Sequence, residues 1–292
     1  MCGLSLIYAY HSVAPEPSER ELLRTREHMR TRGPDDQGMW FSADGRCAIA
    51  HRRLAIIDLD HRSAQPMVSR CGRYAIVFNG EIYNYRELRE ELLREDLELH
   101  TESDTEVLLE LFAKYGIAAF SRLTGMFAVA VRDEREKTVW LARDTYGIKP
   151  LYYADDGWTL RAASQVKALV AGGAISGDPD PAGMVGFYLW GSVPEPFTLY
   201  QEIRAVPPGH FVKVGALGPE TPTPFMTLES LYQGVGVGGL KEGAIRKAVL
   251  ASVQRHLVSD VPVGLFLSAG IDSSALLAAI HALDQERARA TT

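Results

Sequence analysis

The chain opens MCGLSLI, so its second residue is a cysteine behind a methionine that cells often remove. With Met1 gone, Cys2 would carry a free amine and a thiol on one carbon. An α-amino group titrates at about 7.7–8.0 and a thiol at about 8.5, so passing the proton from sulfur to nitrogen costs only about 1 kcal/mol. The amine can therefore serve as the general base of its own nucleophile. The competing reading is packing, because cysteine is a small hydrophobe that is commonly buried and GLSLIYAY reads as a strand.

Four further polar groups could serve that sulfur. Asn79-Gly80 lies in YAIVFNGEIYNY, where the pair suits either a two-residue hairpin turn or two donors for an oxyanion, with glycine letting substrate approach the backbone. Arg53 in HRRLAIID is either a solvent-facing strand residue or a bidentate clamp for a carboxylate. Asp104 follows Ser103 at an expected helix start, where a carboxylate either favours the helix dipole or binds an ammonium. Glu81 joins either the turn or a pocket.

The elements that must position these groups are mixed. From residue 4 to about 170, alternating stretches such as CAIAHRRLAIID, YAIVFNGEIYNY and MFAVAVRD are separated by helical ones, which predicts an α+β region. Asn84-x-x-Glu87 and Ser103-x-x-Glu106 have capping-box spacing ahead of two helices, and Gly116 is placed to close the second. At 292 residues, with 46% hydrophobic and 23% charged residues, the chain is long enough for one large domain or two ordinary ones. A net charge of −6 without a long basic run gives no footprint for nucleic acid or an anionic membrane. Three cysteines, Cys2, Cys47 and Cys71, suit a reducing compartment better than a disulfide framework. Cys47 and Cys71 read as packing or surface residues. The cytoplasm is the expected location, since neither a secretory signal nor a long apolar span stands out.

Taken together, MCG, RTRGPDD, AHRRLAIIDLDHRSAQPM, FNGEIYNYRELR, ESDTEVLL, LTGMFAVAV and RDTYGIKPLYY resemble the glutaminase domain of class II glutamine amidotransferases, in the asparagine synthetase branch. The resemblance implies the N-terminal-nucleophile hydrolase sandwich, two antiparallel sheets between outer helices. It implies Cys2 as nucleophile, with Asn79 and the Gly80 N–H as the oxyanion hole. Arg53 would hold the α-carboxylate of glutamine, with Leu54 and Ile56 beside it, while Glu81 and Asp104 would bind its ammonium and amide ends. A glutamyl-thioester would release ammonia and hydrolyse to glutamate, with no cofactor or metal for that half. A homodimer is compatible with the resemblance.

The tail supplies a destination for the ammonia. SAGIDSS (268–274) lies between an expected apolar strand, VPVGLFL, and an apolar helix, so its backbone N–H groups either cradle an anion or form an ordinary turn with a serine cap. It lacks the Gly-Lys pair of a Walker A loop. It resembles the S-G-G-x-D-S pyrophosphate loop of ATP pyrophosphatases in its asparagine synthetase form. That implies nucleotide contacts from Leu267, Ser268, Ala269, Gly270, Ile271, Asp272 and Ser273, with ATP and Mg²⁺ activating aspartate. Ala269 stands where the pattern has glycine, and if positive φ is required there, its methyl costs about 1 kcal/mol or more. The expected layout is a glutaminase domain over 2–214, a linker over 215–239 and the start of a synthetase domain over 240–292. Few residues follow the loop, so the chain reads as cut short within that domain, with a first strand that lacks the neighbours a parallel sheet requires. Two other readings compete: a glutaminase with a different acceptor, and a non-catalytic binding module.

Overall fold

The computed structural model describes residues 1–233 and 243–290, with side chains up to residue 285. It divides into two compact units, Met1–Leu231 and Tyr232–Thr292. The first unit holds two antiparallel sheets. One has strand order β10-β8-β9-β1-β3-β2, built from β1 (Gly3–Tyr8), β2 (Asp36–Phe41), β3 (Cys47–Arg53), β8 (Tyr152–Asp155), β9 (Leu160–Ala163) and β10 (Ile203–Ala205). The other runs β12-β11-β7-β6-β5-β4, with β13 also on β11. Its strands are β4 (Met67–Val68), β5 (Tyr74–Ile82), β6 (Gly125–Asp133), β7 (Thr138–Arg143), β11 (His210–Gly215), β12 (Gly218–Pro219) and β13 (Thr223–Pro224).

The period-two pattern of the sequence decides how the sheets face each other. Leu4, Leu6 and Tyr8 of β1, Cys47 and Ile49 of β3, and Ala75 and Val77 of β5 share one buried cluster with Ala128, Ala130, Val139, Leu141, Val212 and Val214. Alternate residues of a strand share a face, so these rows close the space between the sheets. Helices cover the outside. Leu22 of α1 (Glu19–His28) packs on Ile7, Ala48 and Ala50 of the first sheet, and Ala168 and Leu169 of α4 (Val166–Gly172) pack on Ala154, Ala163 and Ile203. On the second sheet, Phe112 of α3 (Asp104–Tyr115) meets the rings of Tyr74 and Trp140 edge-on, and α2 (Tyr85–Arg94) packs beside α3. The result is the expected helix-sheet-sheet-helix sandwich.

Two helix starts differ in their chemistry. Ser103 accepts from the Thr105 N–H at 3.1 Å, and Gly116 ends α3 at a φ of 58°. Glu106 does not reach back to the cap as a capping box requires; its carboxylate accepts instead from the His100 and Thr101 N–H groups at 2.8 and 2.7 Å. Asn84 makes no cap hydrogen bond to α2. Its amide is committed across the chain, donating to the Arg122 carbonyl at 3.0 Å and accepting from the Thr124 N–H at 2.8 Å.

The first sheet-bearing unit continues beyond residue 215, where the linker was expected, because β12 and β13 both pair with β11. Residues 234–239 of that expected linker, and 240–242 at the start of the expected synthetase domain, lie outside the described residues. In the second unit, α7 (Ala244–His256) and α8 (Ile271–Ala290) share a small cluster of Val253, Ala279 and Leu283. The expected strand over 261–267 does not form. Its backbone has no partner strand among the described residues, and Phe266 is fully exposed.

Candidate active site

Three of the core rows turn polar at the same end. Cys2 precedes Leu4 and Leu6 on the inward face of β1, His51 and Arg53 extend the row of Cys47 and Ile49, and Asn79 and Glu81 extend the row of Ala75 and Val77. The pairing of Gly3 with Arg52 sets the start of β1 beside the end of β3, so Cys2 and Leu54 become neighbours. The Leu54 N–H donates to the Cys2 sulfur at 3.4 Å, and the thiol points at the Leu54 carbonyl at 3.6 Å. Gly3 is required by packing, since a Cβ there would lie 2.9 Å from the Met29 Cβ.

These rows end in a cleft lined by Cys2, Arg53, Leu54, Ile56, Asn79, Gly80, Glu81 and Asp104. The seven residues expected around glutamine and the expected nucleophile thus lie together. Asn79-Gly80 is not a hairpin turn: both residues are inside β5, opposite Ala128 and Phe127 of β6. A Cβ on Gly80 would fall 2.2 Å from the Met126 carbonyl, so close strand approach is what demands glycine. The Asn79 side chain is buried, and its amide nitrogen and oxygen have no hydrogen-bond partner among the described residues. A buried amide in that state is costly unless a ligand completes it.

Arg53 is not solvent-facing. It is buried, and its guanidinium donates to the carbonyls of Asp60 at 3.2 Å, Ile57 at 3.3 Å and Asp58. Asp104 accepts from the Ile82 N–H at 3.0 Å, and burial pushes its carboxyl up to about 7, with neighbouring Glu81 acting in the same direction. Burial also raises the Cys2 thiol, while the Leu54 hydrogen bond opposes that shift. The Met1 amine is held below its ordinary value by burial, and the cations of Lys149 and Arg32 add to the effect.

Several lining residues were not among those expected around the substrate. Met1, Gln65, Ser103, Thr105 and Lys149 all face the cleft. Lys149 is buried on a turn pinned at both ends, its N–H donating to Asp144 at 3.0 Å and its carbonyl accepting from Arg143 Nε at 2.8 Å. Its distance in sequence from every other lining residue hid it. Periodicity cannot announce a residue placed by a turn.

Residues 1–225 match the family model of the glutamine amidotransferase domain. The chain belongs to that family. Residues 244–292 of this amidotransferase match the model of asparagine synthase. Asparagine synthetase (glutamine-hydrolyzing) 1 of Bacillus subtilis (strain 168) is 39% identical over 94% of the chain and 43% of that protein. Asparagine synthetase (glutamine-hydrolyzing) 3 of the same strain is 33% identical over 87% and 41%. The chain spans less than half the length of these curated relatives. Among solved structures, glutamine phosphoribosylpyrophosphate amidotransferase from B. subtilis, complexed with ADP and GMP, matches with a TM-score of 0.59 at 19% identity, over 95% of this chain and 63% of that one. That likeness is one of fold, the N-terminal-nucleophile hydrolase sandwich.

The expected nucleotide loop, Leu267 to Ser273, is exposed apart from a partly covered Ser273. Its donors turn inward: the Ser268 N–H donates to the Ser273 hydroxyl at 3.2 Å and the Gly270 N–H to the Ser268 hydroxyl at 3.1 Å. Ala269 is not among the residues with positive φ, so its methyl carries no backbone strain here. Among the described residues no group of three or more His, Cys, Asp or Glu side chains is placed to hold a metal ion, and no helix is long and apolar enough to cross a membrane.

Proposed function

We propose that the first unit hydrolyses glutamine with Cys2 as nucleophile, and that the ammonia serves an ATP-dependent amidation of aspartate in the whole protein. While Met1 is attached, the nitrogen of Cys2 is an amide and cannot take a proton. Its removal would leave an amine on the carbon that bears the thiol, in the same cleft. That amine takes the thiol proton as sulfur attacks the carboxamide carbon. The carbonyl electrons move to oxygen, between the Asn79 amide and the Gly80 N–H. The proton passes to the departing nitrogen, ammonia leaves, and water releases glutamate from the thioester. Arg53 would take the α-carboxylate, with Leu54 and Ile56 against the chain of the substrate, while Glu81 and Asp104 would take its ammonium.

The observation that carries this reading is the buried, unpartnered Asn79 amide in one cleft with the Cys2 sulfur. Glutamate and ammonia should appear in equal amounts from a chain whose intact mass lacks Met1, and Cys2→Ala should abolish both. Retained Met1 with undiminished hydrolysis, or an active Cys2→Ala variant, would refute it. For ATP and Mg²⁺, the described part of the second unit offers a helix start and the hydroxyls of Ser268, Ser273 and Ser274, all engaged within the loop. That is an incomplete fit for a nucleotide, so the chemistry assigned to this chain's own residues stops at ammonia. Leu267 to Ser273 remain the residues proposed to meet the phosphates.

A further inference from the structure

Strand β5 has an open edge, and the way it is finished points to a residue with no assigned role. Strand β4 pairs with Ala75 and Ile76 and begins at Met67, opposite Ile76, so no strand residue lies beside β5 beyond that point. On that edge the backbone groups of alternate residues, Tyr74, Ile76, Phe78, Gly80 and Ile82, point outward. The Tyr74 carbonyl accepts from the Ser69 N–H, in keeping with this parity. Farther along, side chains replace the missing strand. The Phe78 N–H donates to Gln65 Oε1 at 2.6 Å, the Phe78 carbonyl meets His51 Nε2 at 3.1 Å, and the Ile82 N–H donates to Asp104 Oδ2 at 3.0 Å. The N–H between them on this edge is that of Gly80, a residue that lines the cleft.

Gln65 does more than close the edge. Its amide nitrogen donates to Thr105 Oγ1 at 3.2 Å, in the first turn of α3 next to Asp104. It is buried, and its backbone is packed so closely on β2 that a Cβ on Gly38 would lie 2.1 Å from the Gln65 carbonyl. One amide group therefore joins the strand that presents Asn79 and Gly80 to the helix start that presents Asp104. We propose that Gln65 is a positioning residue that fixes the oxyanion donors relative to the carboxylate at the other end of the substrate. The proposal rests on the glutaminase reading above. Misplacing a donor by a fraction of an ångström weakens an interaction that matters most in the transition state, so the loss should fall on kcat.

The test compares wild type with Gln65→Met, which removes both hydrogen bonds, and Gln65→Glu, whose carboxyl can accept from the Phe78 N–H and the Thr105 hydroxyl. Gln65→Met should lower kcat for glutamine by about 10- to 100-fold, less than the loss of a whole oxyanion donor, while KM changes by less than about threefold. Gln65→Glu should recover most of the loss. Amide exchange over 74–82 should accelerate in Gln65→Met, a readout independent of activity. An unchanged kcat, a rise in KM alone, a Glu variant no better than Met, or unchanged exchange would overturn the proposal. If Gln65→Met does not fold, Thr105→Val removes the helix-side bond alone and should lower kcat at constant KM; an unchanged kcat there also overturns it. Failure of the underlying reading looks different, since wild type would then not hydrolyse glutamine, while the exchange measurement would still report on Gln65.

Discussion

The cleft beside Cys2 and the SAGIDSS loop both gather polar groups next to strand-like segments, yet they are built to different degrees. The cleft grows out of a core whose rows, Leu4 and Leu6, Cys47 and Ile49, Ala75 and Val77, hold the polar residues that follow them at fixed heights. Its backbone edges are finished by buried side chains. The loop has a helix behind it and a small cluster of Val253, Ala279 and Leu283, but the segment that leads into it pairs with no strand among the described residues. Its hydroxyls satisfy its own N–H groups. Preorganisation thus comes from neighbours on both faces, and a motif without them is a sequence of donors awaiting a site.

The comparison breaks most sharply at the proposed nucleophile. Cys2→Ala is expected to reduce glutamine hydrolysis to background, whereas Phe266→Ser, at a side chain that touches nothing in its own unit, should leave the rate within about twofold, surface changes being mild as a rule. A smaller but still large effect is expected at the proposed oxyanion donor. Asn79→Ala should cost about 10²–10³ in kcat, roughly 3–4 kcal/mol, and it should stabilise the free protein, because an unpartnered buried amide is removed. Thermal unfolding measured beside kinetics would check both signs.

The pH dependence of the first unit sharpens the contrast further. Asp104 is raised from 3.8 to about 7 by burial, so the folded state holds this proton more tightly than the unfolded chain does. The resulting stabilisation is full below pH 4 and is lost as pH rises through 7, at about 1.4 kcal/mol per pH unit. Asp104→Asn should therefore gain up to a few kcal/mol at pH 8 relative to wild type, and little at pH 4. His51, pushed down to about 3 by burial, works in the other direction. Its contribution is present above 6.5 and is lost as pH falls toward 3. Urea unfolding at pH 4, 6 and 8 distinguishes the two.

Much of the cleft was legible through the resemblance of its motifs to a known family, and period two explains why those residues converge: Cys2 is in step with Leu4, Arg53 with Ile49, and Asn79 with Val77. The sandwich was legible by the same resemblance, since the alternation alone predicts only an α+β region. What stayed hidden depends on contacts across long sequence separations. Gln65 and Lys149 reach the cleft from turns, and the edge of β5 that Gln65 closes exists only because β4 is short. Asn84 shows the converse, a residue whose local spacing predicts a cap but whose amide bridges to Arg122 and Thr124. The segment over 261–267 has strand composition without a strand, since β structure is made by partners more than by propensity.

The smallest expected effects separate the two cores. Leu6→Ala empties a fully buried position between two sheets, where neighbours on both faces resist collapse, and should cost about 3 kcal/mol. Leu283 is also buried, but beside partly exposed Leu250, Leu257 and Ile280, which can move into the space and are already in contact with water. Leu283→Ala should therefore cost nearer 1 kcal/mol, below the usual range for such a truncation. Amide exchange resolves the two without a shared unfolding transition: β1 and β3 should lose protection in the first variant, and α7 and α8 in the second. Equal losses would mean that the helix pair packs as tightly as the sandwich, and the contrast between the regions would then lie in the loop alone.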